Sequence, residues 1–201
     1  MFILGLTGSI ASGKSTILKM FAREGIPTIS ADEIVHEIYQ NEAVEKVAKI
    51  FPKAIKNHSV DRKTLSKILL NSKSSLKKLE KIIHPIVQEK IKQFIKISKQ
   101  QNHKMIVLEI PLLFESDIKY PLDAIALSVV NEDLQRKRAL GRENMNEEKL
   151  NMIIANQMKQ EEKKLRSDFI IDSSISLEKT KKKVQEIIKL CLGLDKEKNN
   201  A

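Results

Sequence analysis

The stretch Gly8-Ser9-Ile10-Ala11-Ser12-Gly13-Lys14-Ser15 decides the fold of this 201-residue chain. It places four residues between two glycines and follows the second glycine with Lys and Ser, which is the pattern of a phosphate-binding loop. The apolar run Phe2 to Leu6 precedes it and the amphipathic run Ser15 to Arg23 follows it. The alternative is an ordinary strand-to-helix turn that contains two glycines. Lys14, Ser15 and the flanking runs together favour a site for a nucleoside triphosphate.

The chemistry of a polyphosphate explains why these residue types occur here. Glycine lacks a β-carbon, so Gly8 and Gly13 let backbone N–H groups approach the phosphates closely. The helix that follows directs its positive end at the same anion. Lys14 is expected to reach the β- and γ-phosphates, and the Ser15 hydroxyl is expected to bind Mg²⁺. The residues predicted to bind ATP are Gly8, Ser9, Ile10, Ala11, Ser12, Gly13, Lys14, Ser15 and Thr16.

Composition excludes several functional classes. The chain has 36 basic and 26 acidic residues, a formal net charge of +10 at pH 7, and 41% hydrophobic residues, which suffice for a buried core. It has no run of about 18 apolar residues and no basic leader before the first strand, so we expect a cytoplasmic protein without membrane contact. The single cysteine, Cys191, excludes an internal disulfide and is expected to be buried on the last helix.

The positive charge favours anionic partners such as nucleotides or phosphorylated coenzymes. Aromatic residues make up only 4% of the chain and Trp is absent, so stacking surfaces for nucleic acid are scarce and we expect no nucleic-acid partner. Most basic residues are lysines on predicted helix faces. Arginines number only six, yet Arg136, Arg138 and Arg142 fall within seven residues. This cluster indicates a need for the planar fork that binds phosphate oxygens.

Strand and helix patterns alternate along the chain. Five short runs predict strands, at Phe2–Leu6, Thr28–Ser30, Met105–Ile110, Ala124–Val130 and Phe169–Ile171. Apolar residues at three- and four-residue spacing predict helices between them, and a closing helix from Leu177 to Leu192. This alternation predicts an α/β fold, with an open, mostly parallel five-stranded sheet, helices on both faces, and ligands at the carboxyl ends of the strands.

Two helical segments interrupt this alternation. Residues 32–103 read almost entirely as helix, broken at Pro52 and at Asn57-His58-Ser59, and residues 132–164 are helical and highly charged. We predict a nucleotide-binding core formed by residues 1–31, 104–131 and 165–201. A helical substrate-binding insertion is predicted at residues 32–103, and a lid at residues 132–164. This layout is typical of phosphate-loop NTPases that resemble nucleoside monophosphate kinases.

Other motifs distinguish the enzyme classes that share a phosphate-binding loop. A GTPase would carry Asp-x-x-Gly and Asn-Lys-x-Asp motifs, and a transport ATPase would carry Leu-Ser-Gly-Gly-Gln; the chain has none of them. A helicase would require a longer chain and aromatic stacking residues. A kinase that acts on a small molecule remains.

Several blocks of the chain together resemble the dephospho-coenzyme A kinase family. They are Leu6 to Thr16, Ser30-Ala31-Asp32-Glu33-Ile34, His84-Pro85, Pro111-Leu112-Leu113-Phe114-Glu115, Arg138 with Arg142, Gln157, and Asp168 to Asp172. The similarity extends from about Met1 to Ser174. It implies ATP-dependent phosphorylation of the ribose 3′-hydroxyl of dephospho-coenzyme A, the last step of coenzyme A synthesis, with dephospho-coenzyme A as the small-molecule substrate.

The resemblance also implies catalytic roles. Asp32, at the end of the second strand, is expected to accept or orient the proton of the ribose hydroxyl. Lys14 is expected to span the transferring phosphate. Arg138 and Arg142 are expected on the lid, where they would neutralise phosphate oxygens when it closes. Glu109, where the family often has Asp, is expected to hold Mg²⁺ through water.

Each of these roles has a structural alternative. Ser30-x-x-Glu33 fits a capping box, in which Asp32 would only stabilise the helix start. For Glu109, the alternative is a strand-end carboxylate that faces solvent. For Arg138 and Arg142, the alternative is pairing with acidic residues on an exposed helix face. Lys163 is a further candidate contact to the nucleotide.

Two rival functions remain at this point. The chain could be another kinase of the same architecture, acting on a nucleoside, a nucleoside monophosphate or shikimate. It could also be a basic nucleic-acid-binding protein that ATP only regulates. We expect the protein to be a monomer or a weak homo-oligomer.

Overall fold

The computed structural model describes residues 1–70, 72–143 and 145–200. Asn71, Asn144 and Ala201, which fall in the predicted insertion, lid and core, lie outside the described residues. The chain divides into two compact units. The core unit comprises Met1–Ile29 and the chain from Ser98 onward, and the insertion unit comprises Ser30–Ile97.

The elements alternate between strand and helix much as the sequence predicts. In chain order they are β1 (Phe2–Gly8), α1 (Lys14–Arg23), β2 (Thr28–Ser30), α2 (Ala31–Ile38), α3 (Val44–Ile50), a 3-10 turn (Pro52–Ala54), β3 (Ile55–Lys56), β4 (Ser59–Val60), α4 (Arg62–Leu70), α5 (Lys73–Gln100), β5 (Met105–Glu109), β6 (Ala124–Val129), α6 (Glu132–Leu140), α7 (Glu147–Ala155), α8 (Gln160–Leu165), β7 (Phe169–Asp172) and α9 (Leu177–Asn200).

Five strands form one sheet in the order β2-β5-β1-β6-β7. The pairs β1–β5, β1–β6 and β6–β7 are parallel, with Leu6 opposite Glu109 on one side of β1 and opposite Ala126 on the other. The predicted fold class, an open parallel sheet with helices on both faces, is confirmed. Gly8 and Glu109 therefore end neighbouring strands at the same edge, where ligands collect in open parallel sheets.

The core is built from strands that are buried on both faces. All seven residues of β1 and all five of β5 are buried, as continuous apolar runs in a helix-covered parallel sheet should be. Helices α1 and α9 pack against this sheet and against each other. Their contributions to the main apolar cluster include Ile17, Phe21, Val184 and Ile187. Cys191 belongs to the same cluster, which confirms its predicted burial on the last helix.

The insertion unit is mostly helical, but it also contains a small hairpin that the sequence does not reveal. In the stretch predicted only as a break, Asn57-His58-Ser59, the first two residues form the turn between β3 and β4, and Ser59 begins β4. Asn57 and His58 have φ values of 48° and 58°, which is the conformation of a two-residue hairpin turn that matches the strand twist. Pro85 lies inside α5, with His84 beside it.

The last helix extends to Asn200, beyond the predicted end at Leu192. The added residues include two Lys and one Glu, which are good helix formers. In the part of the chain that the structure describes, no helix combines the length and apolar character needed to cross a membrane.

Candidate active site

The loop between β1 and α1 has a backbone that requires glycine at two positions. A Cβ at Gly8 would lie 2.6 Å from both the Ser12 Oγ and the Ser128 carbonyl oxygen, closer than real contacts allow. Gly13 has a φ of 88°, and a Cβ there would lie 3.1 Å from the Cβ and Oγ of Ser173. Ala11 also has a positive φ, 56°, a backbone conformation that is uncommon for residues other than glycine.

The start of α1 lacks the side-chain groups that usually cap a helix. Gly13 is the N-cap, and the helix has neither a side-chain cap nor an acidic residue in its first turn. By contrast, the side chains of Ser30 and Asn131 cap α2 and α6. Ser15 and Thr16, both exposed, occupy the open first turn of α1. This arrangement suits a phosphate group.

Lys14 directs its ammonium group into the loop. Its Nζ donates to the carbonyl oxygens of Gly8, at 2.7 Å, and Ser9, at 3.1 Å. These contacts hold the long side chain over the loop rather than along the helix. A cation held over a loop of backbone N–H groups is the recurring arrangement of a site for β- and γ-phosphates.

A cleft of about 270 Å³ opens beside this loop within the core unit. Residues Ala11 to Ile17 form one wall, and Arg138, Arg142 and Ser173 contribute to the others. The structure therefore brings most of the predicted phosphate-binding loop together with both candidate arginines. The cleft holds more positive than negative charge, because three of these side chains are cationic and none is acidic.

The two arginines differ in how firmly they are held. Arg138 donates from Nη1 to the Ser173 Oγ and from Nη2 to the Ser173 carbonyl oxygen, each at 2.8 Å. It lies against the phosphate-binding loop without any lid movement, and the alternative of an ion pair on an exposed helix face is wrong for this residue. Arg142 is exposed. Arg136, the third arginine of the cluster, pairs with Glu147.

Side chains distant in sequence hold the tip of the loop, and sequence reasoning missed this role. Gln157 Oε1 accepts a hydrogen bond from the Ile10 amide at 3.0 Å, and Gln135 donates to the Ile10 carbonyl oxygen at 2.8 Å. Ser128 Oγ donates to the Ser12 carbonyl oxygen. Gln157 belongs to the family pattern quoted above, but no sequence signal identifies its partner.

Lys163, a candidate contact to the nucleotide, does not face the cleft. It is fully buried and forms an ion pair with Glu115, with 2.8 Å between Nζ and Oε1. Its Nζ also lies 3.5 Å from the Ser9 Oγ. Lys163 does not line the cleft, and its burial leaves no surface for a direct contact with the nucleotide.

Glu109 and Ser15 offer oxygen atoms of the type that Mg²⁺ prefers. Glu109 is 3% exposed at the end of β5, so the alternative of a carboxylate that faces solvent is wrong. Mg²⁺ usually takes one or two protein oxygens and completes its shell with water and substrate phosphates, so one hydroxyl and one carboxylate fit it. The described residues contain no cluster of three or more side chains that would hold a metal by themselves.

Asp32 belongs to the insertion unit, in the first turn of α2 directly after β2. The cap of α2 is Ser30, whose Oγ accepts from the Glu33 amide at 3.4 Å. Asp32 is exposed and has no hydrogen-bond or ion-pair partner within the described part of its own unit. The capping function therefore does not depend on its carboxylate.

Comparisons of the sequence with known proteins identify its family. The sequence model of the dephospho-CoA kinase family matches residues 2–179. The dephospho-CoA kinase of Bartonella henselae is 44% identical over 96% of this chain and 99% of its own length.

Two solved structures are also similar. The dephospho-CoA kinase of Campylobacter jejuni is 29% identical with a TM-score of 0.65, covering 94% of this chain and 96% of its own. A Thermus thermophilus protein is 26% identical with a TM-score of 0.79, covering 96% of both chains. The chain belongs to the dephospho-CoA kinase family.

Proposed function

We propose that this protein transfers the γ-phosphoryl group of ATP to the ribose 3′-hydroxyl of dephospho-coenzyme A and so completes coenzyme A. Family membership supports the reaction, and relatives that carry the name are 44% and 45% identical over nearly the whole chain. The observation that carries the proposal is the cleft in which residues 11 to 17 and two arginines meet. Phosphoryl transfer depends on positioning and charge stabilisation, which these groups supply.

The core unit would bind the nucleotide. The loop amides and the open start of α1 would hold the β- and γ-phosphates, and Lys14 would turn from the loop carbonyls to the phosphate oxygens. Arg138, fixed by Ser173, would offer a preorganised fork to the same oxygens. Arg142 is exposed and would complete the charge neutralisation when residues 132–164 close as a lid, which would also exclude water.

Asp32 would serve the acceptor. In the transfer, a bond forms between the ribose 3′-oxygen and the γ-phosphorus while the bond from that phosphorus to the β,γ-bridging oxygen breaks, and ADP leaves. The hydroxyl proton would pass to the Asp32 carboxylate, which has no competing partner among the described residues of its own unit. Its exposure in the insertion unit is compatible with a substrate that arrives from solvent.

The metal would be held by the Ser15 hydroxyl and, through water, by Glu109. A bound Mg²⁺ ion neutralises charge that develops on the β- and γ-phosphates. Removal of divalent cations with EDTA should therefore abolish turnover, and added Mg²⁺ should restore it.

We further propose a cytoplasmic protein that acts as a monomer or weak homo-oligomer without nucleic acid; size-exclusion chromatography tests the oligomeric state.

The reaction is tested by incubating the protein with Mg-ATP and dephospho-coenzyme A and analysing the product by mass spectrometry and NMR. We expect one added phosphoryl group on the 3′-oxygen, and no product with Lys14→Met. Shikimate and nucleoside monophosphates serve as competing acceptors. Phosphorylation of one of these, without any change in dephospho-coenzyme A, would contradict the proposal.

The role of Asp32 has a matched control in the same helical turn. Asp32→Asn should lower kcat by about 10²- to 10⁴-fold, because it removes the proton acceptor and leaves the Ser30 cap intact. Glu33→Gln changes a neighbouring exposed acid and should leave kcat within about twofold. Equal kcat in the two variants would remove Asp32 from the mechanism.

A further inference from the structure

The ion pair between Glu115 and Lys163 is an unusual feature behind the phosphate-binding loop. Lys163 is 0% exposed, although burial of an ammonium group is costly. The Glu115 carboxylate compensates its charge at 2.8 Å, with a side chain that is 14% exposed. Buried ion pairs often contribute no more stability than apolar residues of the same size, so stability alone does not explain this one.

The pair contacts the loop at Ser9. The Lys163 Nζ lies 3.5 Å from the Ser9 Oγ. The Ser9 carbonyl oxygen accepts a hydrogen bond from the Lys14 Nζ at 3.1 Å. Ser9 is itself 9% exposed and thus has little freedom to move. Lys163 therefore contacts the side chain, and Lys14 the backbone, of one loop residue.

A second connection closes the arrangement into a ring. Glu115 Oε1 also accepts from the Met158 amide at 3.0 Å. The preceding residue, Gln157, accepts from the Ile10 amide at 3.0 Å. Two adjacent residues of one connecting segment thus bind Glu115 and the loop tip, respectively. Any shift of Glu115 would be transmitted to the loop along both routes.

We propose that Glu115 and Lys163 are positioning residues that set the conformation of Ser9 and, through it, the position of Lys14. This inference rests on the proposed function. Neither side chain would touch ATP or the acceptor, so their effect would pass through the loop. An ion pair with a fully buried ammonium group and defined hydrogen-bond partners favours one arrangement of the loop, whereas an apolar pair would tolerate several.

Three variants and a matched control test this role. Lys163→Met removes the buried cation, Glu115→Gln leaves that cation without its carboxylate, and the double variant removes both charges. Lys164→Met is the control, because Lys164 lies on the same helix and pairs with Glu161 at the surface. For each protein, we would measure the melting temperature, ADP affinity by calorimetry, and kcat and KM for both substrates.

We expect Lys163→Met to weaken ADP binding and lower kcat/KM for ATP by about tenfold, the size of one lost orienting contact, with KM for dephospho-coenzyme A within about twofold. Glu115→Gln should have the lowest melting temperature of the four variants. The double variant should regain thermal stability but keep the weakened ADP binding. The control should match the wild type in every measurement.

The opposite pattern would overturn the proposal. If Lys163→Met and the double variant bind ADP like the wild type and only their melting temperatures differ, the pair is merely structural. The ADP measurement does not involve an acceptor. It therefore tests the positioning role even if the wild type fails to phosphorylate dephospho-coenzyme A, which is the separate failure of the proposed function.

Discussion

Gly13 and Gly25 allow the steric demand of the nucleotide site to be separated from ordinary backbone strain. Both have positive φ values, 88° and 79°. A Cβ at Gly25 would meet nothing within 4 Å, whereas a Cβ at Gly13 would lie 3.1 Å from the Cβ and Oγ of Ser173. Alanine at either position therefore incurs the same conformational cost, and only Gly13→Ala adds a contact at the site.

The expected magnitudes follow from these contacts. A non-glycine residue in the left-handed region costs about 1–2 kcal/mol, so both variants should lose about this much free energy of unfolding. Gly13→Ala must also displace Ser173 by a few tenths of an ångström. Because Ser173 accepts both hydrogen bonds from Arg138, the guanidinium would move with it. Loss of one charge-assisted hydrogen bond to phosphate, about 1.5–3 kcal/mol, corresponds to roughly 10- to 150-fold in kcat/KM for ATP.

The assay combines urea unfolding with a coupled measurement of ADP production. Gly25→Ala should keep the wild-type kcat/KM for ATP, and Gly13→Ala should lose it as calculated. In an Arg138→Met background, Gly13→Ala should add little further loss, because the group through which it acts is absent. The reasoning is refuted if Gly13→Ala retains kcat/KM within about twofold, or if Gly25→Ala loses as much activity.

Three shorter predictions concern other sites. Glu109→Gln should raise the Mg²⁺ concentration required for half-maximal activity while leaving metal-free ADP binding unchanged; an unchanged Mg²⁺ requirement argues against a metal role. Burial raises the pKa of the Cys191 thiol to about 12, so the thiol should react with Ellman's reagent only after unfolding, and its contribution to stability, present below the unfolded pKa near 9, should decline as the pH rises toward 12. Hydrogen bonds from Thr64 lower the pKa of Asp61, whose carboxylate accepts from the Thr64 amide at 2.6 Å at the start of α4. Its contribution is present above the unfolded pKa near 3.8 and is lost as the pH falls further; Asp61→Ala should lower the melting temperature at neutral pH, whereas Asp61→Asn should retain the cap.

The sequence predicts the features that local patterns determine. The phosphate-binding loop and the five strands follow from glycine spacing and apolar runs, and the structure places the strands within one or two residues of their predicted bounds, with β2 unchanged at Thr28–Ser30. The hairpin at Asn57 and His58 escaped prediction because its strands have two residues each, too few for any alternation to appear.

Contacts between distant residues were beyond the reach of sequence reasoning. Gln157 binds the Ile10 amide across 147 positions, and Arg138 binds Ser173 across 35. Neither separation leaves a periodic signal, because the fold alone brings the partners together. Lys163 illustrates the same limit: its charge and its place at the far end of the predicted lid suggested a nucleotide contact, while its burial beside Glu115 depends on packing.

The contacts that hold the phosphate-binding loop and the candidate acceptor residue Asp32 lie in different units of the chain. The side chains shown here to hold the loop, among them Gln135, Gln157 and Ser128, all belong to the core unit, as does Ser173, which fixes Arg138. Asp32 belongs to the insertion unit. Nucleotide affinity should therefore depend on the core contacts, and acceptor choice on the insertion. A kinase built in this way can change its acceptor by altering one helical insertion, because the residues that orient ATP need not change.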